Sequence, residues 1–310
     1  MLSVLSITAP VFFFIGLGYI FARYKIFPIE AQKIFGQYVF YCAMPCYLFM
    51  AMAKAPIHMV ANIDYIISFA LGLVVTAVLT WVVAYKCFKC DPAQSILAMM
   101  AGSYTNSAFV GIPIITMAFG ESGPVVVVAL FQIVIVTTFI LTVLDSLANK
   151  EQFSWGLLKS IPRTVALNPI VGGSLLGILF SLMHVEIPDI VGNSLDLLGR
   201  AGIPTALFAL GLSLGQVRQK LSQSSQNLIL ILVGLKNIIH PLVAWVIGFY
   251  IFDLSTMWLG ALVVVSAMPT AMNNFIFAQK YNSFIPEASQ VVFISSVVSL
   301  FTLSALLWLI

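Results

Sequence analysis

The sequence predicts an all-α polytopic membrane protein of ten transmembrane helices. They form two inverted five-helix repeats, with broken crossing helices at spans 4 and 9. Three observations predict this. Of the 310 residues, 61% are hydrophobic and only 8% charged, where soluble domains carry roughly a quarter charged residues. The apolar residues run on for about the 20 positions that a helix needs to cross a bilayer, unlike the short alternating segments of an outer-membrane barrel. The two halves of the chain also repeat each other.

The spans read, in order, 4–23, 33–53, 63–86, 94–119, 124–147, 162–184, 197–216, 227–251, 257–279 and 286–309. They use most of the chain, and no loop is long enough for a soluble domain. Span 1 lacks a basic n-region and a cleavage site, so it reads as a retained helix and not a signal peptide. Loops after odd spans hold Arg23, Lys25, Lys33, Lys86, Lys89, Lys150, Lys159, Arg163, Arg218, Lys220 and Lys280. Loops after even spans hold only Lys54, with Arg200 just inside span 7. The positive-inside rule then places odd loops in the cytoplasm and both termini outside. The net charge of +3 arises in these loops. It gives no reason to expect a nucleic-acid partner; the lipid bilayer is the partner.

The repeat divides the chain into 1–150 and 151–310. At a shift of 159, Pro10, Gly18 and Phe21 fall on Pro169, Gly177 and Phe180, and Pro45, Leu48 and Phe49 fall on Pro204, Leu207 and Phe208. At 162, Pro124, Phe131 and Phe139 fall on Pro286, Phe293 and Phe301. Near 168, Asn106 and Phe109 fall on Asn274 and Phe277. Matched prolines and glycines carry weight because each breaks helix regularity. Five spans per copy is an odd number, so the second copy enters from the opposite face. That plan belongs to secondary transporters, which place substrate near the midplane where interrupted helices meet.

Spans 4 and 9 occupy corresponding places, and both are interrupted. Span 4 contains GSYTNSAFVGIP, with Gly102, Gly111 and Pro113; span 9 contains SAMPTAMNNFIFAQKY, with Pro269. Unpaired backbone at that depth is tolerated only where it faces protein or a water-filled cavity. Half-helix N-termini there offer N–H groups and partial positive charge to a carboxylate. Asn106, Asn273 and Asn274 would hold the crossing together and touch the ligand, with Tyr104, Thr105 and Ser107 lining the same cavity. Interhelical glue is the plainer use of such side chains.

At these residues the sequence resembles the auxin efflux carrier family, which includes plant auxin carriers and bacterial permeases for malate, malonate and related acids. MPCYLF in span 2, NSAFVGIP in span 4 and MPTAMNNFIFAQKY in span 9 carry the resemblance, which covers essentially the whole chain. The short loop between spans 5 and 6 resembles the bacterial members and not the long-looped plant carriers. The resemblance implies a fold similar to bile-acid sodium symporters. Spans 1, 2, 6 and 7 would form a scaffold, often dimeric, and spans 3–5 and 8–10 a transport domain moving like an elevator. It also implies a bacterial inner-membrane location.

None of the eleven acidic residues lies mid-span. That weakens ion coupling, since proton and sodium sites commonly recruit a carboxylate, and it suits an anionic substrate. The deep ionisable groups are basic. Lys236 lies near the middle of span 8 with His240 one turn along, and inserting a central Lys costs about 2.5–3.5 kcal/mol. Two uses stay open for Lys236: attracting the anion, or bracing helix-end carbonyls at the crossing. Gln132, well inside span 5, is a further ligand candidate, while Gln290 lies close to a span end. Asn168 and Pro169 are placed to line the scaffold side, a kink being the plainer use of Pro169, and Asp196 and Arg200, spaced i, i+4, form a local ion pair.

Cys42 and Cys46, and the single CxxC of Cys87 and Cys90, lack the second pair that a zinc site needs. No metal and no cofactor is expected. The three histidines have no catalytic partner at motif spacing, so an enzyme is not expected. The leading expectation is a secondary transporter of a small organic anion, a carboxylate. The alternatives are a sodium- or proton-coupled symporter of the same fold, or a ligand-binding sensor that does not transport.

Overall fold

A computed structural model describes residues 2–28, 30–54, 62–120, 123–148, 169–216 and 221–309. The described residues are helical, with a single isolated β-bridge. In chain order the helices are α1 (Leu2–Arg23), α2 (Ala31–Ala53), α3 (Ile63–Cys87), α4 (Pro92–Ser103), α5 (Ile112–Phe119) and α6 (Gly123–Ala148). They continue with α7 (Pro169–Leu182), α8 (Asp189–Gln216), α9 (Gln223–Ile251), α10 (Thr256–Ser266), α11 (Met272–Lys280) and α12 (Ile285–Leu309). Among the described residues, six helices are long and apolar enough to cross a membrane. Asn168, and the basic residues Lys150, Lys159, Arg163, Arg218 and Lys220, lie outside the described residues.

Helix starts follow local chemistry. The Asn62 side chain accepts from the Tyr65 N–H at 3.0 Å ahead of α3. Asp91 and Gln94 form a reciprocal capping box before α4, with Pro92 as its first residue, where a missing N–H costs nothing. α8 begins at Asp189, ahead of the predicted start at 197. Its polar first turns interrupt the apolar run yet remain helical, with Asp189 favourably placed at the N-terminus. Arg200 Nε sits 2.6 Å from Asp196 Oδ2.

Several helices end on a residue with positive φ that is not glycine: Lys25 after α1, Lys89 after α3, His184 after α7 and Asp253 after α9. The endings match in pairs. Ile26 N donates to Phe21 O and Val185 N to Phe180 O, both at 3.0 Å. The last turns Val83–Cys87 and Ile247–Ile251 are both π-helical, and are followed by Cys90 N to Ala84 O and Leu254 N to Gly248 O.

α1 packs along α8, α7 along α2, and α8 also against α2. Small residues permit these close approaches, as in membrane helix pairs. A Cβ on Gly18 would collide with the Phe208 carbonyl, and one on Gly177 with the Phe49 carbonyl. The same contacts bring Phe21 edge-on to Phe208 at 5.7 Å and Phe180 edge-on to Phe49 at 5.3 Å. On the other side, α9 packs on α3, α10 and α12, and α4 lies against α3 and α6.

Candidate functional site

The chain leaves helix geometry at Tyr104–Asn106 between α4 and α5, and again over residues 267–271 between α10 and α11. The two breaks meet. Thr105 and Thr270 form an antiparallel bridge. Asn106 N donates to Pro269 O at 2.9 Å, and Ala271 N donates to Tyr104 O at 3.2 Å. Each broken segment thus supplies the backbone partners that the other lost when its helix stopped. Pro269 lies within this bridge. Gly111 and Pro113 lie beyond it: Gly111 ends the π turn Ser107–Gly111, and Pro113 is the second residue of α5.

Side chains from neighbouring helices converge on the bridge. Gln132 Oε1 accepts from Thr105 Oγ1 at 2.7 Å and from Ser107 Oγ at 2.9 Å. The Tyr104 hydroxyl pairs with Thr137 Oγ1 at 2.9 Å and with the Asn273 side chain. Thr270 Oγ1 donates to the Ala101 carbonyl at 2.6 Å, and Thr270 N donates to Ser295 Oγ at 3.1 Å. Asn237 Nδ2 donates to the Ser295 carbonyl at 3.2 Å. No sequence pattern singles out Thr137, Thr270, Ser295 or Asn237. Asn237 adjoins Lys236 and Thr270 follows Pro269, which are the only signals that could have pointed to them.

Lys236 is fully buried. Its ammonium donates to the Ser266 carbonyl at 2.7 Å and lies 3.2 Å from His240 Nδ1. Ser266 is the last residue of α10, so the cation faces the negative end of a half-helix. Gln132 and Lys236 both stand in π-helical segments, Gln132–Thr137 and Leu235–Ile239, and such segments recur at functional sites.

Several buried polar atoms around the crossing have no hydrogen-bond partner: Gln132 Nε2, Asn273 Oδ1, both side-chain polar atoms of Asn274, Asn237 Oδ1 and His240 Nε2. Leaving such an atom unpaired costs about 1–3 kcal/mol. Asn273 and Asn274 sit in the first turn of α11, at the N–H end of the half-helix, where the Asn274 N–H itself donates to the Ala271 carbonyl. Amides, helix N–H groups and one deep cation can together bind an anion.

The far end of α11 carries a second polar group. The Tyr281 hydroxyl donates to Asp145 Oδ1 at 2.7 Å and accepts from Lys280 Nζ at 3.0 Å, while Lys280 Nζ lies 3.5 Å from Asp145. Burial lowers the pKa of Lys280 below its ordinary value, and Asp145 works against that shift. Burial, then the hydrogen bond and charge of Asp145, push the Tyr281 hydroxyl up, so it stays a donor.

Comparison with known proteins follows the same lines. The family model described as membrane transport protein matches residues 3–308. The chain is 24% identical to a candidate malonate transporter of Rhizobium meliloti (strain 1021), over 100% of this chain and 97% of that protein. It is 25% identical to the uncharacterized transporter YfdV of Escherichia coli (strain K12), over 97% of this chain and 95% of that one. It is 24% identical to auxin efflux carrier component 5 of Arabidopsis thaliana, over 96% and 94%.

Proposed function

The chain belongs to the membrane transport protein family that includes auxin efflux carriers, and from that premise we propose a secondary carrier of a small organic anion, a carboxylate. The protein is a membrane transporter and not an enzyme. The observation that carries the substrate reading is the crossing itself. Two interrupted helices are joined by the bridge between Thr105 and Thr270, and unpartnered buried amides of Gln132, Asn273 and Asn274 stand around it. The substrate carboxylate would take N–H bonds from the start of α11 and from these amides, with Lys236 supplying positive charge behind Ser266. The name of the Rhizobium relative, which mentions malonate, fits a small dicarboxylate.

The reading includes ten spans and two inverted five-helix repeats. Paired contacts support it. Gly18 and Phe21 meet Phe208 as Gly177 and Phe180 meet Phe49, an exchange expected of two copies related by a twofold axis. The αL endings at Lys25 and His184 stand at that same shift of 159. Scaffold spans 1, 2, 6 and 7 correspond to α1, α2, α7 and α8, whose mutual packing supports grouping them as one body. The remaining spans would slide against this scaffold as an elevator, carrying the crossing. The basic loops support termini outside the plasma membrane, and the family resemblance supports a homodimer through the scaffold.

The test is thermal stabilisation of the purified protein against mono- and dicarboxylates, with and without sodium. Ligand at 100 times its Kd adds about 2.7 kcal/mol to the folded state. A shift with a carboxylate in the absence of sodium is the expected result. A shift that requires sodium moves the assignment to a sodium symporter, and no shift with any acid removes the carboxylate.

A further inference from the structure

A cavity of about 80 Å³ opens between α2 and α11, lined in part by Lys33, Gln37, Phe40, Ile276, Gln279 and Lys280. A water needs about 10–15 Å³ by a comparable measure, so the space suits an acid of a few carbons. Each wall supplies one lysine. Lys33 is exposed and makes no ion pair with any described carboxylate, although Glu30 lies one turn away. Lys280, its side chain 25% exposed, has Asp145 only at 3.5 Å, and that carboxylate also receives the Tyr281 hydroxyl. The lining thus carries two lysines and no carboxylate, with Asp145 and Glu30 beside it.

One face of α11 runs from the cavity toward the crossing. Asn273, Ile276 and Lys280 follow i, i+3, i+7 spacing, which places them on one face of α11. The face spans about 10 Å, from seven residues at 1.5 Å each. The Phe40 ring stands over this path, 5.1 Å from Lys280 Nζ and 6.1 Å from the Phe277 ring. Gln279 reaches across to α2, where its Nε2 donates to the Gln32 carbonyl at 3.1 Å. Its Oε1, 6% exposed as a residue, has no partner.

We propose that this cavity is a second anion site, in which Lys33 and Lys280 hold a small carboxylate before it passes along α11 to the crossing. Its role as a loading site rests on the carrier reading above; its capacity to bind does not. Lys33 and Lys280 come from opposite walls, so a bound carboxylate bridges α2 and α11.

The test measures lysine acylation by mass spectrometry on the purified full chain, titrated with malonate at constant ionic strength. Lys86 and Lys89, exposed elsewhere, serve as internal references. The expected result is loss of labelling at Lys33 and Lys280 with none at Lys86 or Lys89, retained in Asn274→Ala. Absence of protection, a parallel fall at the reference lysines, or equal protection by sulfate overturns the proposal. In proteoliposomes, Lys33→Gln should raise KM roughly two- to five-fold, the value of one partly screened charge pair, at the Lys33 face alone with Vmax unchanged. An equal change at both faces overturns the loading role. Protection without malonate flux would sink the carrier reading for this acid and leave the site standing. Flux without protection would sink the site and leave the carrier reading standing.

Discussion

Thr270→Val isolates one bond that joins the two broken spans. The Thr270 hydroxyl donates to the Ala101 carbonyl at 2.6 Å across 169 residues of chain, and both residues are fully buried. Ala101 lies in the last turn of α4, where a helix leaves its final carbonyls without an N–H to receive. The Thr270 hydroxyl takes that place. Valine keeps the shape and the bond from Thr270 N to Ser295, so the substitution removes one donor and strands one buried acceptor. The expected loss is about 1–3 kcal/mol. Chemical denaturation in mixed micelles should show it as a lower midpoint, and Thr270→Ser, which keeps the hydroxyl, should recover most of the loss. Flux in proteoliposomes should fall further than stability does, because the bond sets how the two half-helix ends face each other. A valine variant with the midpoint and flux of the parent would refute the claim that this hydroxyl completes the crossing.

Other substitutions read separate parts of the structure. Gly18→Ala should destabilise, because its Cβ meets the Phe208 carbonyl, whereas Gly16→Ala, with open space around it, should be neutral or gain up to about 1 kcal/mol of helix propensity; denaturation midpoints compare the two. Lys236→Met strands the buried Ser266 carbonyl that the ammonium reaches at 2.7 Å and should cost about 1–3 kcal/mol of stability, while abolishing uptake of an anionic substrate. Gln132→Leu strips the shared acceptor from Thr105 and Ser107 and should lower both midpoint and carboxylate-induced stabilisation. Cys87→Ser should leave flux unchanged, since Cys87 is an exposed free thiol.

Much of the architecture is legible because membrane helices announce themselves by length and by what they omit. Proline and glycine mark where they stop, and Pro269 sits inside the break it predicts, between Ser266 and Met272. The first break is less legible. Of the three breakers in span 4, only Gly102 lies at the break: α4 ends one residue later at Ser103, ahead of Gly111 and Pro113, and Tyr104–Asn106 are not helix breakers by type. What stops the helix there is the partner strand segment at Pro269–Ala271, a tertiary cause that no local pattern reports. The π turns that carry Gln132 and Lys236 are similarly silent in sequence, although the polar residues they carry were conspicuous.

The register of the crossing shows why side-chain matching falls short. Asparagine matches asparagine at 168, Asn106 to Asn274, yet the backbone pairs Thr105 with Thr270, a shift of 165. The counterpart of Asn106 in the bridge is therefore Ala271, and Asn274 stands three residues further on, almost one turn into α11. The bridge is built from main-chain N–H and C=O groups, which every residue but proline supplies alike, so selection on side chains leaves its register unwritten. The two asparagines consequently do different work. Asn106 belongs to the bridge, donating its N–H to Pro269. Asn274 belongs to the half-helix beyond it, with both side-chain polar atoms buried and unpartnered. A ligand at the crossing would therefore draw on Asn274 for recognition and on Asn106 for the frame that holds it in place.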